Sequence, residues 1–175
     1  MTTVFSLLTV LMVIDCKLNN RSVKRPDASF CLTRNSIPQP PPAWLKFLPD
    51  GVPYPNIVVE VEVNHESPRK LMNDCQRYFT ATTSVRLWIG VKYWTASRKF
   101  WAGFAVRHPD GVGATVTSQF QFPPDHHDIN TPTNIVYSVP MTTVFGPEIT
   151  FPQGMADDAV LRIDTDIIRQ RILDV

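Results

Sequence analysis

Two glutamates in a valine-rich run have the clearest chemical potential in this chain. If residues 57–63, IVVEVEV, form a strand, successive side chains alternate between faces, so Glu60 and Glu62 share one face. A buried, unpaired carboxylate is strongly disfavoured. The pair therefore requires a cation, a polar cleft or the end of a sheet. A hard divalent cation such as Mg²⁺ takes oxygen ligands, and two or three carboxylates on a rigid scaffold suffice to bind it.

A third carboxylate, Asp27, precedes a second short strand. Within residues 23–32, VKRPDASFCL, alternation separates an apolar face from a more polar one, and Asp27 belongs to the polar face. Pro26 is typical of a strand start or an edge position. The valine content of residues 57–63 predicts that this later strand is central and covered on both faces.

The segment after the glutamates predicts a helix and then another strand. Ser67 is a suitable N-cap and Pro68 a suitable first helical residue. Residues 84–94 follow as a strand, and a helical crossover between two strands predicts that they are parallel. The predicted buried stripe of the helix is Leu71, Cys75, Tyr78 and Phe79, and the predicted apolar face of the following strand is Val85, Leu87, Ile89 and Val91.

The N-terminal residues 1–14 are apolar but lack the basic region and cleavage site of a signal peptide and are too short to span a bilayer. We interpret them as a buried strand that pairs with the next predicted strand, which suggests that N-terminal elements are missing. Residues 33–55 predict a proline-rich loop. The loop residues expected to dock on the body are Trp44, Leu45, Phe47 and Leu48.

The second half predicts further strands and a short C-terminal helix. Residues 98–106 and 114–122 read as paired strands around a turn, with another strand near 134–139 and one at 159–163. The helix, at 164–173, is expected to be capped by Asp164 or Thr165 and to turn Ile167, Ile168 and Ile172 inward.

Composition indicates one soluble globular domain spanning residues 1–175, with 43% hydrophobic residues and a net charge of +1. This charge provides no strong attraction to nucleic acid or to a membrane. Cys16, Cys31 and Cys75 show no CxxC spacing, which favours a reducing, intracellular compartment, cytoplasmic or nuclear, over a disulfide framework or a zinc site. No feature of the sequence determines the oligomeric state.

Two other clusters have both a functional and a structural interpretation. PDHHD at 124–128 is better read as an exposed loop than as a metal site, because adjacent histidines rarely chelate one ion. Aromatic and basic residues near 92–101 could form a base-stacking surface, although aromatic residues at strand ends more often belong to the core or its rim. That second cluster comprises Tyr93, Trp94 and Trp101 with Lys92, Arg98 and Lys99.

Four features lie within roughly residues 20–94, namely KRPDASF, PNIVVEV, a helix that contains a tyrosine, and VRLWIGV. In combination they resemble the Uma-type restriction endonuclease family of the PD-(D/E)XK nuclease superfamily. The resemblance implies an α/β (α+β) fold with a restriction-endonuclease-like core, in which a mixed sheet with a crossover helix is flanked by helices. It also implies that acidic residues on adjacent strands bind Mg²⁺, for which Mn²⁺ can substitute, and activate a water molecule on a phosphodiester bond of nucleic acid.

Carried over by position, the resemblance makes Asp27 the first acidic residue and Glu60 the second. The superfamily's lysine, two residues after the glutamate, falls on Glu62, which is a departure. Glu62 then becomes an auxiliary metal ligand. Lys70, on the following helix, is the candidate that orients or deprotonates the water, with Arg69 and Arg77 behind it.

A purely structural interpretation stands beside this one. Asp27 could initiate a turn, and Glu60 could form a buried ion pair with Arg25, Arg86 or Lys70. Two hypotheses therefore remain open. The first is a Mg²⁺-dependent nuclease, and the second is a catalytically inactive binding or structural module with the same core.

Overall fold

The computed structural model describes residues 8–11, 16–18, 22–24, 26–32, 34–63, 67–122, 135–146, 148 and 158–173. The elements are β1 (Leu8–Leu11), β2 (Cys16–Leu18), β3 (Ser22–Lys24), β4 (Ala28–Leu32), β5 (Ile57–Val63), α1 (Pro68–Cys75), β6 (Leu87–Trp94), β7 (Lys99–Arg107), β8 (Ala114–Phe122), β9 (Val136–Pro140), α2 (Met141–Phe145), β10 (Val160–Asp164) and α3 (Thr165–Leu173).

A six-stranded mixed sheet organises these elements, in the order β1-β4-β5-β6-β7-β8. The β5 and β6 strands are parallel and α1 connects them, whereas the other neighbours in the sheet are antiparallel. Strands β2 and β3 form a separate pair, as do β9 and β10. The fold is therefore mixed α/β with few helices, consistent with the predicted α+β class, and the predicted parallel crossover is confirmed.

The helix α1 forms where its sequence signals predict it. The Ser67 hydroxyl accepts a hydrogen bond from the Lys70 backbone N–H at 3.2 Å, and Pro68 occupies the first turn. The α-helix ends at Cys75, and residues Gln76–Tyr78 continue as a 3-10 turn. All residues of the predicted apolar stripe are buried, namely Leu71, Cys75, Tyr78 and Phe79.

Each face of the sheet carries its own hydrophobic core. The face covered by α1, called here the α1 face, contains Val58, Trp88 and Trp101. The opposite face contains Ile57, Ile89 and Phe104 and packs against residues of α2. This division follows from alternation along β5, β6 and β7, because even and odd positions point to opposite faces.

Strand β1 pairs antiparallel with β4, which confirms the predicted pairing for residues 8–11. The prediction that Val85 shares a face with Leu87 is wrong. Val85 packs in the α1-face core, because it precedes the start of β6 and the alternation of that strand does not include it. The prediction that both faces of β5 are covered is wrong at its end, where Val61 and Val63 are exposed.

Two side chains expected to lie inward are exposed. Phe47 is 42% exposed, although Leu45 in the same loop is buried. Ile167 is 58% exposed, while its neighbour Ile168 packs on the core, since adjacent helical positions diverge by about 100°. Residues 1–7, Arg25, the PDHHD cluster and the Ile172 side chain lie outside the described residues. Within the described part of the chain, no helix is long and apolar enough to cross a membrane.

Candidate functional site

Asp27 lies next to the strand that carries Glu60. Ala28 is the antiparallel partner of Val59 and the first residue of β4, and Asp27 directly precedes it. The Val61 backbone N–H donates a hydrogen bond to Asp27 Oδ2 at 2.6 Å. The carboxylate of Asp27 therefore lies beside the β5 backbone, just past the end of the β4–β5 pairing, and the residue is exposed.

Glu60 is buried, with 6% exposure, although it carries a carboxylate. The Tyr78 hydroxyl donates a hydrogen bond to Glu60 Oε1 at 2.5 Å. The α1 stripe positions this tyrosine, which is fully buried. A hydrogen bond to an ionised oxygen is stronger than a neutral one, so Tyr78 compensates part of the desolvation of Glu60.

The apolar spacing predicts that Tyr78 lies in the core, which the structure confirms, but it does not predict the hydrogen bond to Glu60. A signal was available, because a buried tyrosine requires a partner for its hydroxyl and the apolar stripe of α1 supplies none.

Two glycines in neighbouring strands leave room for indole rings on the α1 face. Gly90 is the β6 partner of Glu60, and a Cβ atom at Gly90 would lie 2.0 Å from the Trp88 ring. Gly103 is in turn the partner of Gly90, and a Cβ there would lie 2.3 Å from the Trp101 ring. The surface next to Glu60 is therefore apolar and closely packed.

Glu62 faces a buried lysine on the adjacent strand. Lys92 is its parallel register partner, and Lys92 Nζ lies 3.9 Å from Glu62 Oε1. Lys92 is 0% exposed, and its Nζ has no hydrogen-bond partner among the residues that the structure describes. The same ammonium lies 5.8 Å from the centroid of the Trp94 ring.

Lys92 and Trp101 are both buried, so the favoured interpretation of this cluster, as core or rim, holds for them and the base-stacking alternative does not. Position 92 falls on the α1 face of an interior strand, where α1 and its neighbours exclude solvent. The contact between Lys92 and Glu62 can be predicted only once the alignment of β5 with β6 is known.

The other cations proposed from sequence lie in different settings. Lys70 is exposed in the first turn of α1, and its predicted role with water stays a prediction. Arg77 Nη1 lies 4.0 Å from Asp74 Oδ1, three residues earlier in the chain. Arg86, a suggested partner for Glu60, instead donates from Nε to the Thr143 carbonyl at 2.7 Å.

Asp27 lies beside this end of β5, Glu60 and Glu62 belong to the strand itself, and the buried ammonium of Lys92 is paired with Glu62. Within the described ranges, no group of three His, Cys, Asp or Glu side chains is arranged to hold a metal ion. An ion held by Asp27 and Glu60 would complete its coordination with water and substrate, as Mg²⁺ commonly does with one or two carboxylates. The donor chemistry therefore fits a hard cation with few protein ligands.

Compared with models of known protein families, with curated proteins and with solved structures, the chain shows no significant match.

Proposed function

We propose that this protein is a divalent-metal-dependent nuclease that hydrolyses phosphodiester bonds of nucleic acid on a restriction-endonuclease-like core. The observation that supports the proposal is the contact of Asp27 with β5, because its carboxylate accepts a hydrogen bond from the N–H of Val61, the residue next to Glu60. The resemblance implies acidic ligands on adjacent strands, and Asp27 directly precedes β4, the strand that pairs with β5.

In the proposed mechanism Asp27 and Glu60 hold Mg²⁺ or Mn²⁺, and Glu62 is the auxiliary ligand. Such an ion, when bound, lowers the pKa of a coordinated water and offsets negative charge on the phosphate. The Tyr78 hydroxyl fixes one Glu60 oxygen, and the Val61 N–H fixes one Asp27 oxygen. Both contacts pre-orient the ligands and so reduce the ordering required on binding. Lys70 remains the proposed water-orienting base.

A second candidate is a catalytically inactive module with the same core, which binds or supports a partner without turnover. It is favoured by Glu62, which stands where the superfamily carries lysine and whose carboxylate is paired with the ammonium of Lys92.

Thermal melting in Mn²⁺ or Mg²⁺ tests the shared premise of a metal site. A ligand present at 100 times its Kd stabilises the fold by about 2.7 kcal/mol, so wild-type protein should gain melting temperature and Asp27→Asn should not. Asp50→Asn is the matched control, because Asp50 is an exposed aspartate that also accepts from a backbone N–H, that of Val52 at 3.1 Å.

Cleavage of DNA and RNA by the same variants then separates the two candidates. The nuclease requires cleavage that Asp27→Asn abolishes and Asp50→Asn preserves. Metal binding without cleavage supports the inactive module. If neither ion shifts the melting temperature of the wild-type protein, both the metal site and the nuclease proposal are wrong.

A further inference from the structure

A cleft of about 210 Å³ opens at the end of the sheet where β6 begins and β7 ends. Its walls include three cationic residues, Lys46, Arg86 and Arg107, together with Thr83, Ser84 and Asp110. We propose that this cleft binds a phosphate group. The site is independent of the carboxylates described above and of the function proposed for them.

The cleft and the carboxylates lie at different positions along the same strand. Arg86 directly precedes β6, whereas Gly90, the partner of Glu60, lies further along it. At about 3.3 Å per strand residue, the two positions are roughly 13 Å apart. A ligand in the cleft would therefore not share a metal ion with Glu60.

Arg86 supplies oriented donors to the cleft. Its Nε donates to the Thr143 carbonyl at 2.7 Å, and its guanidinium carbon lies 5.1 Å from the centroid of the Trp44 ring. These two contacts fix the plane of the group. A guanidinium has five N–H donors, and in the described part of the chain only the Nε hydrogen of Arg86 is engaged. The terminal amino groups are left to form the forked pair that suits phosphate oxygens.

Arg107 contributes charge without free donors. Its Nε donates to the Val85 carbonyl at 2.6 Å, while Nη1 bonds the Thr80 carbonyl at 3.0 Å and the Gly111 carbonyl, and Nη2 bonds the carbonyl and hydroxyl of Thr83 at 3.1 and 2.8 Å. Burial, together with the nearby charge of Arg86, lowers the pKa of Arg107 to about 10. Both guanidiniums remain cationic at neutral pH, and an anion placed between them would reduce their repulsion.

The remaining charges leave a positive excess in the cleft. Lys46 Nζ donates to the Ala43 carbonyl at 2.7 Å, which leaves further ammonium donors. Asp110 accepts the Val112 N–H at 3.1 Å, so one of its oxygens is turned to its own loop. Glu148 accepts the Trp44 Nε1 hydrogen at 2.8 Å and also attracts Arg86. Three cations therefore face two carboxylates, and both of those acidic residues are exposed to solvent.

The charge of the cleft favours a phosphate as its ligand. Arg86 lies over the Trp44 ring, and a Cβ atom at Gly146 would lie 2.5 Å from the same ring, so part of the indole is already covered by protein. The volume is several times the roughly 30 Å³ that a water molecule occupies in the liquid, so a partly hydrated phosphate has room.

Phosphorus NMR of inorganic phosphate, titrated with the full chain at constant ionic strength, tests the proposal. Wild-type protein should broaden the phosphate line, and Arg86→Gln should weaken binding at least tenfold, as expected for the loss of charge-assisted hydrogen bonds. Lys46→Gln should also weaken it, and the substitution leaves the backbone contacts of this half-buried residue in place. Arg98→Gln, at the β6–β7 turn beyond the far end of β6, is the matched control and should bind as the wild type does.

The proposal is overturned if wild-type protein leaves the phosphate line unchanged, or if Arg86→Gln and Lys46→Gln bind as well as the wild type. A second arm identifies the source of the phosphate, using a labelled single-stranded oligonucleotide and a mononucleotide in EDTA, where metal-dependent cleavage cannot occur. Oligonucleotide binding that requires Arg86 and Lys46 indicates a nucleic-acid strand. Binding of phosphate and mononucleotide alone indicates a small phosphate ester. Failure of metal to stabilise the protein would leave this result intact.

Discussion

Replacing Glu62 with glutamine should destabilise the fold more than replacing Lys92 with methionine. The two charges face each other at 3.9 Å, but Lys92 is 0% exposed whereas the Glu62 side chain is 24% exposed. Removing the glutamate charge leaves an ammonium buried without a hydrogen-bond acceptor in the described surroundings. Removing the lysine charge leaves a carboxylate that still reaches water.

The magnitudes follow from the two environments. At about 4 Å and an effective dielectric constant near 20, the attraction is about 4 kcal/mol. Breaking a buried pair from one side costs about 3–5 kcal/mol, while an apolar side chain of similar volume is often neutral or stabilising. We expect Glu62→Gln to lose about 3 kcal/mol, which is about 6–12 °C in Tm for a chain of this size. Lys92→Met should change stability by about 1 kcal/mol or less.

Urea unfolding of both single variants and the double variant provides the assay. If the buried ammonium is the cause, adding Lys92→Met to Glu62→Gln should recover most of the lost stability. Two results would refute the reasoning. One is a loss of 3 kcal/mol or more in Lys92→Met alone, and the other is a double variant no more stable than Glu62→Gln.

Four further predictions concern Tyr78, Gly90 and Cys31. Tyr78→Phe should lower the unfolding free energy by about 1.5–3 kcal/mol, because Glu60 loses a charge-assisted donor, and Tyr93→Phe, at a half-buried position, serves as the control in the same urea assay. Gly90→Ala should cost about 1–3 kcal/mol or more, since the added Cβ would meet the Trp88 ring; an unchanged melting temperature would contradict this packing. Burial raises the pKa of Cys31 above its ordinary value of 9.0, so in native protein iodoacetamide should alkylate it slowly at pH 9, as shown by peptide mass spectrometry. Because native Cys31 keeps its proton to higher pH than the unfolded chain does, stability should fall as the pH rises above 9.

The elements around the carboxylates follow from local sequence signals. Period-two alternation predicts a strand over residues 57–63, and the structure has β5 at Ile57–Val63. Ser67 and Pro68 predict where α1 begins because capping chemistry depends only on neighbouring residues. The parallel pairing of β5 with β6 follows from the helix between them.

The contacts that define the site depend on alignment between strands, which local signals do not determine. The burial of Lys92 follows from its position opposite Glu62 on an interior strand. The contact from Tyr78 to Glu60 requires α1 to pack at one place along the sheet. The hydrogen bond from the Val61 N–H to Asp27 could not be read from the sequence, because it depends on how β4 and β5 are aligned.

The phosphate cleft had no signal in the sequence. Its walls come from residues near 44–46, 81–86 and 107–112, which no motif connects. The role of Arg107 could not be predicted from the sequence either. Its guanidinium binds carbonyl groups of chain segments that only the fold brings together. Sites of this kind depend on tertiary contacts and not on the spacing of residues along the sequence.

Anomalous diffraction from crystals soaked in Mn²⁺ tests the proposed metal site most directly. If Asp27 and Glu60 hold the metal, a peak should lie about 2 Å from a carboxylate oxygen of each residue, a distance typical of a small hard cation. A peak bound to only one of these residues, a peak elsewhere on the molecule, or no peak at all at saturating Mn²⁺ would contradict the proposed site.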